Sequence, residues 1–238
     1  MSPSKFGQCL CAPRGHRPFR SPSAHFEARV REHFSVLVPK LSTKILIADI
    51  RAFIQSLHKR YDSVFLLGVS WGGKLALGYG LTHPEDVRGL VLITPGIRAL
   101  VDVSLLTKLK IMLFSYTQPL EPIPIPIKTE MFTTTPQNLA FIQRDPLRLK
   151  YATARFFWES HRFDGYIDSL ISSLQLPVEI FLAGRDTLID NEGVRSVLER
   201  GGQDKLEIVT YEDQTHSVQL DAAERMVRDM VKWLGRYQ

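Results

Sequence analysis

The amino-acid sequence predicts an α/β fold in which helices cover both faces of a mostly parallel sheet. Two observations support this prediction. Short, uninterrupted apolar runs alternate with segments of helical periodicity, as expected for parallel strands that are buried on both sides. A Gly-x-Ser-x-Gly motif, from Gly68 to Gly72, lies where one of these runs passes into a helix. With 238 residues, the chain is long enough for one such domain and short for two.

The first predicted elements surround this motif. Apolar residues on one face and a basic end predict a helix over about 43–60. A short run of β-forming residues predicts a buried strand from Ser63 to Leu67, which Gly68 ends. Helical character returns from Trp71 to Thr82, where a His-Pro pair stops it.

The later elements continue the alternation of strand and helix. They are a buried strand over 89–93, a strand over 178–182, a helix over about 192–200, a strand over 206–211 and an amphipathic helix over about 220–236.

Residues 96–176 interrupt this alternation of strand and helix. Four prolines between positions 119 and 126 exclude a central strand or helix there, and a helical stretch follows at about Asp145 to His161. The core is then expected to comprise residues 43–95 and 177–238. The interrupting segment is expected to form a cap or lid over the carboxyl ends of the strands, where ligands bind in such sheets.

Residues 1–42 are expected to form an irregular segment that holds a remnant of early strands. Within it, Phe34 to Val38 can be a strand, but Phe26, Val30, Phe34 and Leu37 also have helical spacing, and both alternatives stay open.

The positive charge is concentrated near the N-terminus. Residues 1–62 contain 11 Lys and Arg against 4 Asp and Glu, whereas the rest of the chain contains 19 against 21. A nucleic-acid surface usually shows a basic stripe with aromatic residues on the folded body, so we expect no nucleic-acid partner.

Cysteine usage and hydropathy indicate the cellular compartment. Cys9 and Cys11 are one residue apart, which disfavours a disulfide between them, and neither zinc spacing nor another metal-ligand set is present. We therefore expect a reducing compartment, the cytoplasm. No apolar run is long enough to cross a bilayer. The sequence contains no signal from which an oligomeric state can be predicted.

The setting of Ser70 between a strand and a helix is that of a nucleophile elbow. In such a turn the serine adopts a strained conformation that exposes its hydroxyl. Gly68 and Gly72 are expected to remove side chains that would collide there. The amide of Trp71, at the N-terminus of the helix, is placed to donate to an oxyanion.

A nucleophilic serine needs a histidine base, which a carboxylate orients. In this topology the acid and then the histidine follow the serine, on loops after later strands. Asp186 follows the strand over 178–182 directly. Asp190 competes with it but is equally suited to cap the next helix. Of the seven histidines, His216 alone follows Asp186.

Apolar side chains in the interrupting segment have two interpretations. They can simply pack a lid, or they can also accept an acyl chain beside the serine. They are Leu105, Leu106, Leu109, Ile111, Met112, Leu113, Phe114, Phe156, Phe157 and Trp158.

Four stretches resemble the α/β-hydrolase family, and within it the monoacylglycerol lipase and lysophospholipase-like hydrolases. These stretches are "VFLLGVSWGGKLAL", "HPEDVRGLVLITPGI", "PVEIFLAGRDTLID" and "THSVQLD", and the similarity runs from about residue 43 to the end. The resemblance implies the triad Ser70, Asp186 and His216, no cofactor, and hydrolysis of carboxylic esters such as monoacylglycerols or lysophospholipids. The expected partner is a small acyl ester or lipid, with transient contact to a membrane surface.

The sequence departs from this family before the elbow. The family normally has four earlier strands, and a His-Gly loop after the third donates the second oxyanion amide; no such pair precedes Ser70. The stretch "CLCAPRGHRPF" instead resembles the fourth strand and its loop, with Arg17 where glycine is usual. The chain is therefore expected to begin in the middle of the fold.

Two alternatives to an esterase stay open. One is a shortened, catalytically weak or silent relative that binds an acyl ligand or a partner. The other is an amide hydrolase of the same family, of the aminopeptidase type.

Overall fold

The structure of the chain is a computed structural model that describes residues 42–202 and 204–237. The predictions for residues 1–41, including the open choice at Phe34 to Val38 and the loop that contains Arg17, lie outside the described residues.

Four strands of the described residues form one parallel sheet, in the order β1-β2-β5-β6. Two short strands, β3 and β4, form a separate antiparallel pair. The strands are β1 (Phe65–Val69), β2 (Gly89–Ile93), β3 (Pro122–Pro124), β4 (Tyr151–Thr153), β5 (Val178–Ala183) and β6 (Leu206–Tyr211).

The helices of the described residues alternate with the strands of the parallel sheet or lie between β2 and β5. They are α1 (Thr43–Leu57), α2 (Trp71–Thr82), α3 (Leu105–Thr117), α4 (Pro136–Arg144), α5 (Ala154–Leu170), α6 (Asn191–Glu199), α7 (Val218–Asp221) and α8 (Ala223–Leu234). Within the described residues, three single turns of 3₁₀ helix occur, at Pro84–Asp86, Thr129–Met131 and Ile171–Ser173.

Both faces of the parallel sheet are buried at its two central strands, β2 and β5. On one face Leu90 and Leu92 pack with residues of α1, α2, α5 and α6. On the other, Val91 and Ile93 pack with α7 and α8, where Trp233 is fully buried. This arrangement confirms the predicted fold class. It also explains why β2 is apolar without alternation, because neither of its faces is left to water.

Several boundaries differ from the predictions. Strand β1 continues through Gly68, because that residue pairs in register with Leu92, so glycine does not end the strand. The predicted C-terminal helix is two helices that meet at Ala222, whose φ of −131° is not helical. With this break, Val218 and Met226 both pack in the cluster on the α8 face.

The segment between β2 and β5 contains α3, α4, α5 and the β3–β4 pair. Ile111, Ile123 and Ala154 form a small apolar cluster within it. The helix predicted at about Asp145 to His161 is wrong in its boundaries: α4 ends before Asp145, because Pro146 disfavours helical geometry at the preceding residue. Helix α5 begins after Thr153, whose hydroxyl accepts from the Phe156 amide at 3.1 Å.

Glu179 is an unusual residue for a central strand. It lies in β5 between two apolar neighbours, is 1% exposed, and its Oε2 has no hydrogen-bond partner among the described residues. Burial raises the pKa of Glu179 to about 8, and the nearby carboxylate of Glu207 adds to this effect. The carboxyl group is therefore predominantly protonated in the folded chain at pH 7.

We expect Glu179 to make the folded chain less stable as the pH rises. Above pH about 4.5 the unfolded chain releases this proton whereas the folded chain holds it up to about 8, so the free energy of unfolding declines between these values. Glu179→Gln should remove most of the decline, a few kcal/mol at about 1.4 kcal/mol per pKa unit. Denaturant titrations from pH 5 to 9 measure it. Glu192→Gln, at a side chain that is 90% exposed, is the control. Parallel pH profiles for wild type and Glu179→Gln would contradict the assignment.

Candidate active site

The Gly-x-Ser-x-Gly motif forms a sharp turn between β1 and α2. Ser70 is the single residue between the two elements, and its φ of 51° and ψ of −122° lie in a region that L-residues rarely adopt. Its amide donates to the Ile93 carbonyl oxygen at 2.9 Å. Its own carbonyl oxygen accepts from the amides of Gly73 at 2.9 Å and Gly96 at 2.8 Å. These bonds hold a backbone conformation that costs roughly 1–3 kcal/mol.

Close backbone packing explains two of the glycines around Ser70. A Cβ added to Gly68 would lie 2.3 Å from the Gly72 carbonyl oxygen, as predicted, and one added to Gly73 would lie 2.9 Å from the Cβ of Pro95. The collision predicted at Gly72 is wrong, because a Cβ there would meet no heavy atom of the described residues within 4 Å. The close contact lies one residue later, at Gly73, because that residue faces the loop after β2.

Asp186 lies in the loop after β5, and its buried carboxylate has three partners. Oδ1 accepts from the backbone amides of Leu188 at 2.8 Å and Ile189 at 3.1 Å, and Oδ2 lies 2.8 Å from His216 Nδ1. Asp190, the competing acid, accepts from the Gly193 amide at 3.0 Å and caps α6. Of the two acids, Asp186 is therefore the one in contact with the histidine.

His216 lies in the loop between β6 and α7 and is 1% exposed. The Thr94 hydroxyl donates to the His216 carbonyl oxygen at 3.1 Å, and the next amide, of Ser217, donates to the Phe132 carbonyl oxygen at 2.7 Å. The Phe132 ring meets the imidazole edge-on, with 5.7 Å between ring centroids. The histidine loop is thus held by the end of β2 on one side and by the segment between β2 and β5 on the other.

A continuous chain of hydrogen bonds joins the three predicted residues. Ser70 Oγ lies 2.9 Å from His216 Nε2, and His216 Nδ1 lies 2.8 Å from Asp186 Oδ2. With the carboxylate ionised, Nδ1 carries the ring proton and donates to Asp186, which leaves Nε2 to accept from the Ser70 hydroxyl. This arrangement can take a proton from the serine as it attacks an electrophile.

The Trp71 amide lies beside this chain. As the first residue of α2, Trp71 has no intrahelical carbonyl for its N–H, which also sits at the positive end of the helix dipole. It can donate to an oxyanion that forms on a group attached to Ser70. A second donor from a His-Gly loop is not available before Ser70, because the sequence contains no His-Gly pair there.

Lys74 brings a buried charge next to the turn. It is 5% exposed, and its Nζ lies 2.6 Å from Asp164 Oδ1 and 3.2 Å from Ser160 Oγ, both on α5. Burial lowers the pKa of the Lys74 ammonium, although the Asp164 carboxylate opposes this effect. Ser160 Oγ also accepts from the Trp71 indole N–H at 2.9 Å. Helices α2 and α5 are therefore joined by polar contacts within one helical turn of Ser70.

Four residues that contact the site were not identified from the sequence. They are Thr94, Phe132, Lys74 and Ser160. Lys74 carries a usable signal, because it is the one charged residue in the helical segment Trp71 to Thr82. A lone charge in an otherwise apolar helix implies a buried partner. The roles of Thr94 and Phe132 depend on contacts between loops distant in the chain, for which the local sequence gives no signal.

The fold and this site define an α/β-hydrolase. The family described as serine aminopeptidase, S33 (Hydrolase_4) matches residues 40–223, and the chain belongs to this hydrolase family. No curated protein sequence matches the chain significantly.

Solved structures agree with the fold at low sequence identity. A monoacylglycerol lipase from Paleococcus ferrophilus is 18% identical with a TM-score of 0.76, over 83% of this chain and 77% of that one. A soluble variant of monoglyceride lipase from Saccharomyces cerevisiae, in complex with a substrate analogue, is 19% identical with a TM-score of 0.71, over 82% and 68%. A carboxyl esterase from Bacillus coagulans, in complex with glycerol, is 16% identical with a TM-score of 0.66, over 80% and 69%.

Two further properties concern residues 42–202 and 204–237. None of their helices is both long and apolar enough to span a membrane. No group of three or more His, Cys, Asp or Glu side chains among them is arranged to hold a metal ion.

Alanine substitutions at two glycines test the packing of the turn. We expect Gly68→Ala to lower the free energy of unfolding by roughly 1–3 kcal/mol, because its Cβ would press against backbone atoms that cannot rotate away. Gly72→Ala is the matched control and should be neutral or slightly stabilising, since it adds a better helix former in open space. Chemical denaturation measures both. Equal losses of unfolding free energy in the two variants would show that the close contact at Gly68 does not determine the stability of the turn.

Proposed function

We propose that this chain is a serine hydrolase that cleaves carboxylic esters of acyl chains, of the monoacylglycerol or lysophospholipid type. The observation that carries the proposal is the hydrogen-bonded chain from Ser70 Oγ through His216 to the buried carboxylate of Asp186. In this proposal Ser70 is the nucleophile, His216 the general base and acid, and Asp186 the residue that orients the imidazole.

The first half of the reaction forms an acyl-enzyme. Ser70 Oγ attacks the ester carbonyl carbon while His216 Nε2 takes the hydroxyl proton. The carbonyl oxygen becomes negatively charged and accepts a hydrogen bond from the Trp71 amide. Asp186 stabilises the imidazolium. His216 then returns the proton to the leaving alkoxide, the ester C–O bond breaks, and the alcohol departs.

The second half releases the acid. A water molecule gives its proton to His216 Nε2 and attacks the acyl carbon, and the same amide stabilises the second tetrahedral intermediate. The Ser70–acyl bond breaks as His216 protonates Ser70 Oγ. Free serine and a carboxylic acid result, so no cofactor takes part in the electron balance.

Apolar surface near the nucleophile supports an acyl substrate. The Trp71 ring packs on Phe156 of α5, with 4.9 Å between centroids, directly next to Ser70 along the chain. Helix α3 also presents a row of exposed apolar side chains on one face, which supports transient contact with a lipid surface. This row is Leu105, Leu106, Leu109, Met112, Leu113 and Tyr116. Two of the structural neighbours named above are a monoacylglycerol lipase and a monoglyceride lipase.

An amide hydrolase is the second candidate, because the matching family is described as a serine aminopeptidase. An aminopeptidase must bind the α-ammonium group of its substrate, for which a carboxylate is the natural partner. The three acidic residues of α5, the helix that contacts Trp71, each already have a basic partner. They are Glu159 with Arg155 and Arg162, Asp164 with Lys74, and Asp168 with Arg98 and Arg200. This pairing favours the ester over the peptide.

Active-site labelling tests the nucleophile. We expect a fluorophosphonate probe to label the wild type and not Ser70→Ala, because only an activated serine reacts with it. We expect kcat/KM on p-nitrophenyl esters to rise with acyl chain length and to exceed that on aminoacyl anilides, with hydrolysis of a monoacylglycerol in the same series. A folded wild type without Ser70-dependent labelling would overturn the enzyme proposal in favour of a silent binding protein. Preference for anilides would favour the peptidase.

Two neighbouring acids give a matched pair of variants. Asp186→Asn should lower kcat by about 10⁴-fold, since a neutral amide neither holds the required imidazole tautomer nor stabilises the imidazolium. Asp190→Asn should leave kcat and stability nearly unchanged, because asparagine caps a helix as well as aspartate does. Steady-state kinetics measures both. Similar losses in the two variants would remove the case for Asp186 as the orienting acid.

A further inference from the structure

Ser160 on α5 is held by two donors from the helix that follows the nucleophile. Its hydroxyl oxygen lies 2.9 Å from the Trp71 indole nitrogen and 3.2 Å from Lys74 Nζ. An indole N–H can only donate, and a protonated amine likewise. A hydroxyl oxygen has two acceptor lone pairs, so both are occupied by α2. The position of Ser160 is therefore fixed relative to the turn that carries Ser70.

The Lys74–Asp164 pair strengthens the same junction. The Lys74 side chain is nearly inaccessible to water, and its ammonium lies 2.6 Å from the carboxylate one helical turn beyond Ser160. Separation of the two helices would leave a buried ammonium and a carboxylate unpaired, which is strongly unfavourable. This pair therefore opposes displacement of α5 from α2.

A second ionic contact fastens the far end of α5. Asp168, one turn beyond Asp164, accepts from the Arg98 guanidinium at 2.6 and 2.7 Å and also pairs with Arg200. The two junctions divide the helix. Asp168 lies in the last turn of the helix, whereas Ser160 and Asp164 lie nearer to Phe156, which packs against Trp71.

We propose that Lys74 is a positioning residue: through Ser160 and Asp164 it holds the N-terminal half of α5 so that the Trp71–Phe156 pair forms a fixed wall beside Ser70, and this wall limits the length of the acyl chain that the site accepts. The proposal rests on the proposed esterase function. Lys74 itself touches no reacting atom; it acts through the two aromatic side chains.

The test exchanges the whole ion pair so that neither charge is left alone. Lys74→Met with Asp164→Leu replaces both partners by apolar side chains, so that no unpaired charge is left at this junction. Arg98→Met with Asp168→Leu is the control at the far junction of the same helix; it also removes the carboxylate partner of Arg200, whose side chain is half-exposed and stays in contact with water. Hydrogen exchange and the p-nitrophenyl ester series are measured on both double variants and on the wild type.

We expect amide exchange in residues 156–164 to accelerate about tenfold in the Lys74/Asp164 variant and to change little in the control. The ratio of kcat/KM between the longest accepted ester and its next longer homologue should fall by about tenfold towards unity, mainly through KM, because a displaced wall admits a longer chain. Ser160→Ala should shift both readouts in the same direction.

Each outcome decides the proposal. Unchanged exchange in residues 156–164 would overturn it whether or not the wild type is active. Faster exchange with an unchanged chain-length ratio would overturn the role in specificity, as would an equal change of that ratio in the control. A wild type that hydrolyses no ester would defeat the proposed function, and the exchange comparison alone would then decide whether Lys74 holds α5.

Discussion

The backbone conformation of Ser70 is the constraint on which the rest of the site depends. A positive φ at a residue other than glycine is unfavourable, and here it turns the chain from β1 into α2 within one residue. The conformation persists because its surroundings determine it from three sides: the carbonyl at the end of β2, the amide of Gly73 in α2 and the amide of Gly96 in the next loop. In return, the hydroxyl is directed to the histidine instead of capping its own helix.

The sheet order explains why the histidine needs support from two sides. Ser70 follows β1, at one edge of the described sheet, and His216 follows β6, at the other. Three strand spacings of about 4.8 Å separate these positions. The loop after β6 must therefore cross above β5 and β2 to reach the serine. Asp186 meets it above β5, and Thr94, itself at a positive φ of 40°, meets it above β2.

Most of the parallel sheet and the contact of the three site residues could be predicted from sequence, since both depend on local signals. Buried parallel strands are apolar runs, and the order of acid and base along the chain follows from the topology. What the sequence did not predict depends on packing between distant segments. The collision at Gly73 instead of Gly72 comes from Pro95 in another loop, and the helix boundaries near Asp145 follow Pro146 rather than the apolar pattern.

The distribution of charge around Ser70 bears on the kind of substrate. The acidic side chains of α5 are paired with basic residues of the same helix, of α2 or of neighbouring loops. Asp186 is occupied by the histidine and two backbone amides. The carboxylates of these residues are therefore already compensated, whereas the side chains of Trp71 and Phe156 remain partly accessible. A substrate that offers an uncharged carbonyl and an apolar chain needs no further charged partner there, but an ammonium group could pair with one of these carboxylates only by displacing its present partner. This distribution of charge supports the proposal of a neutral acyl ester as substrate.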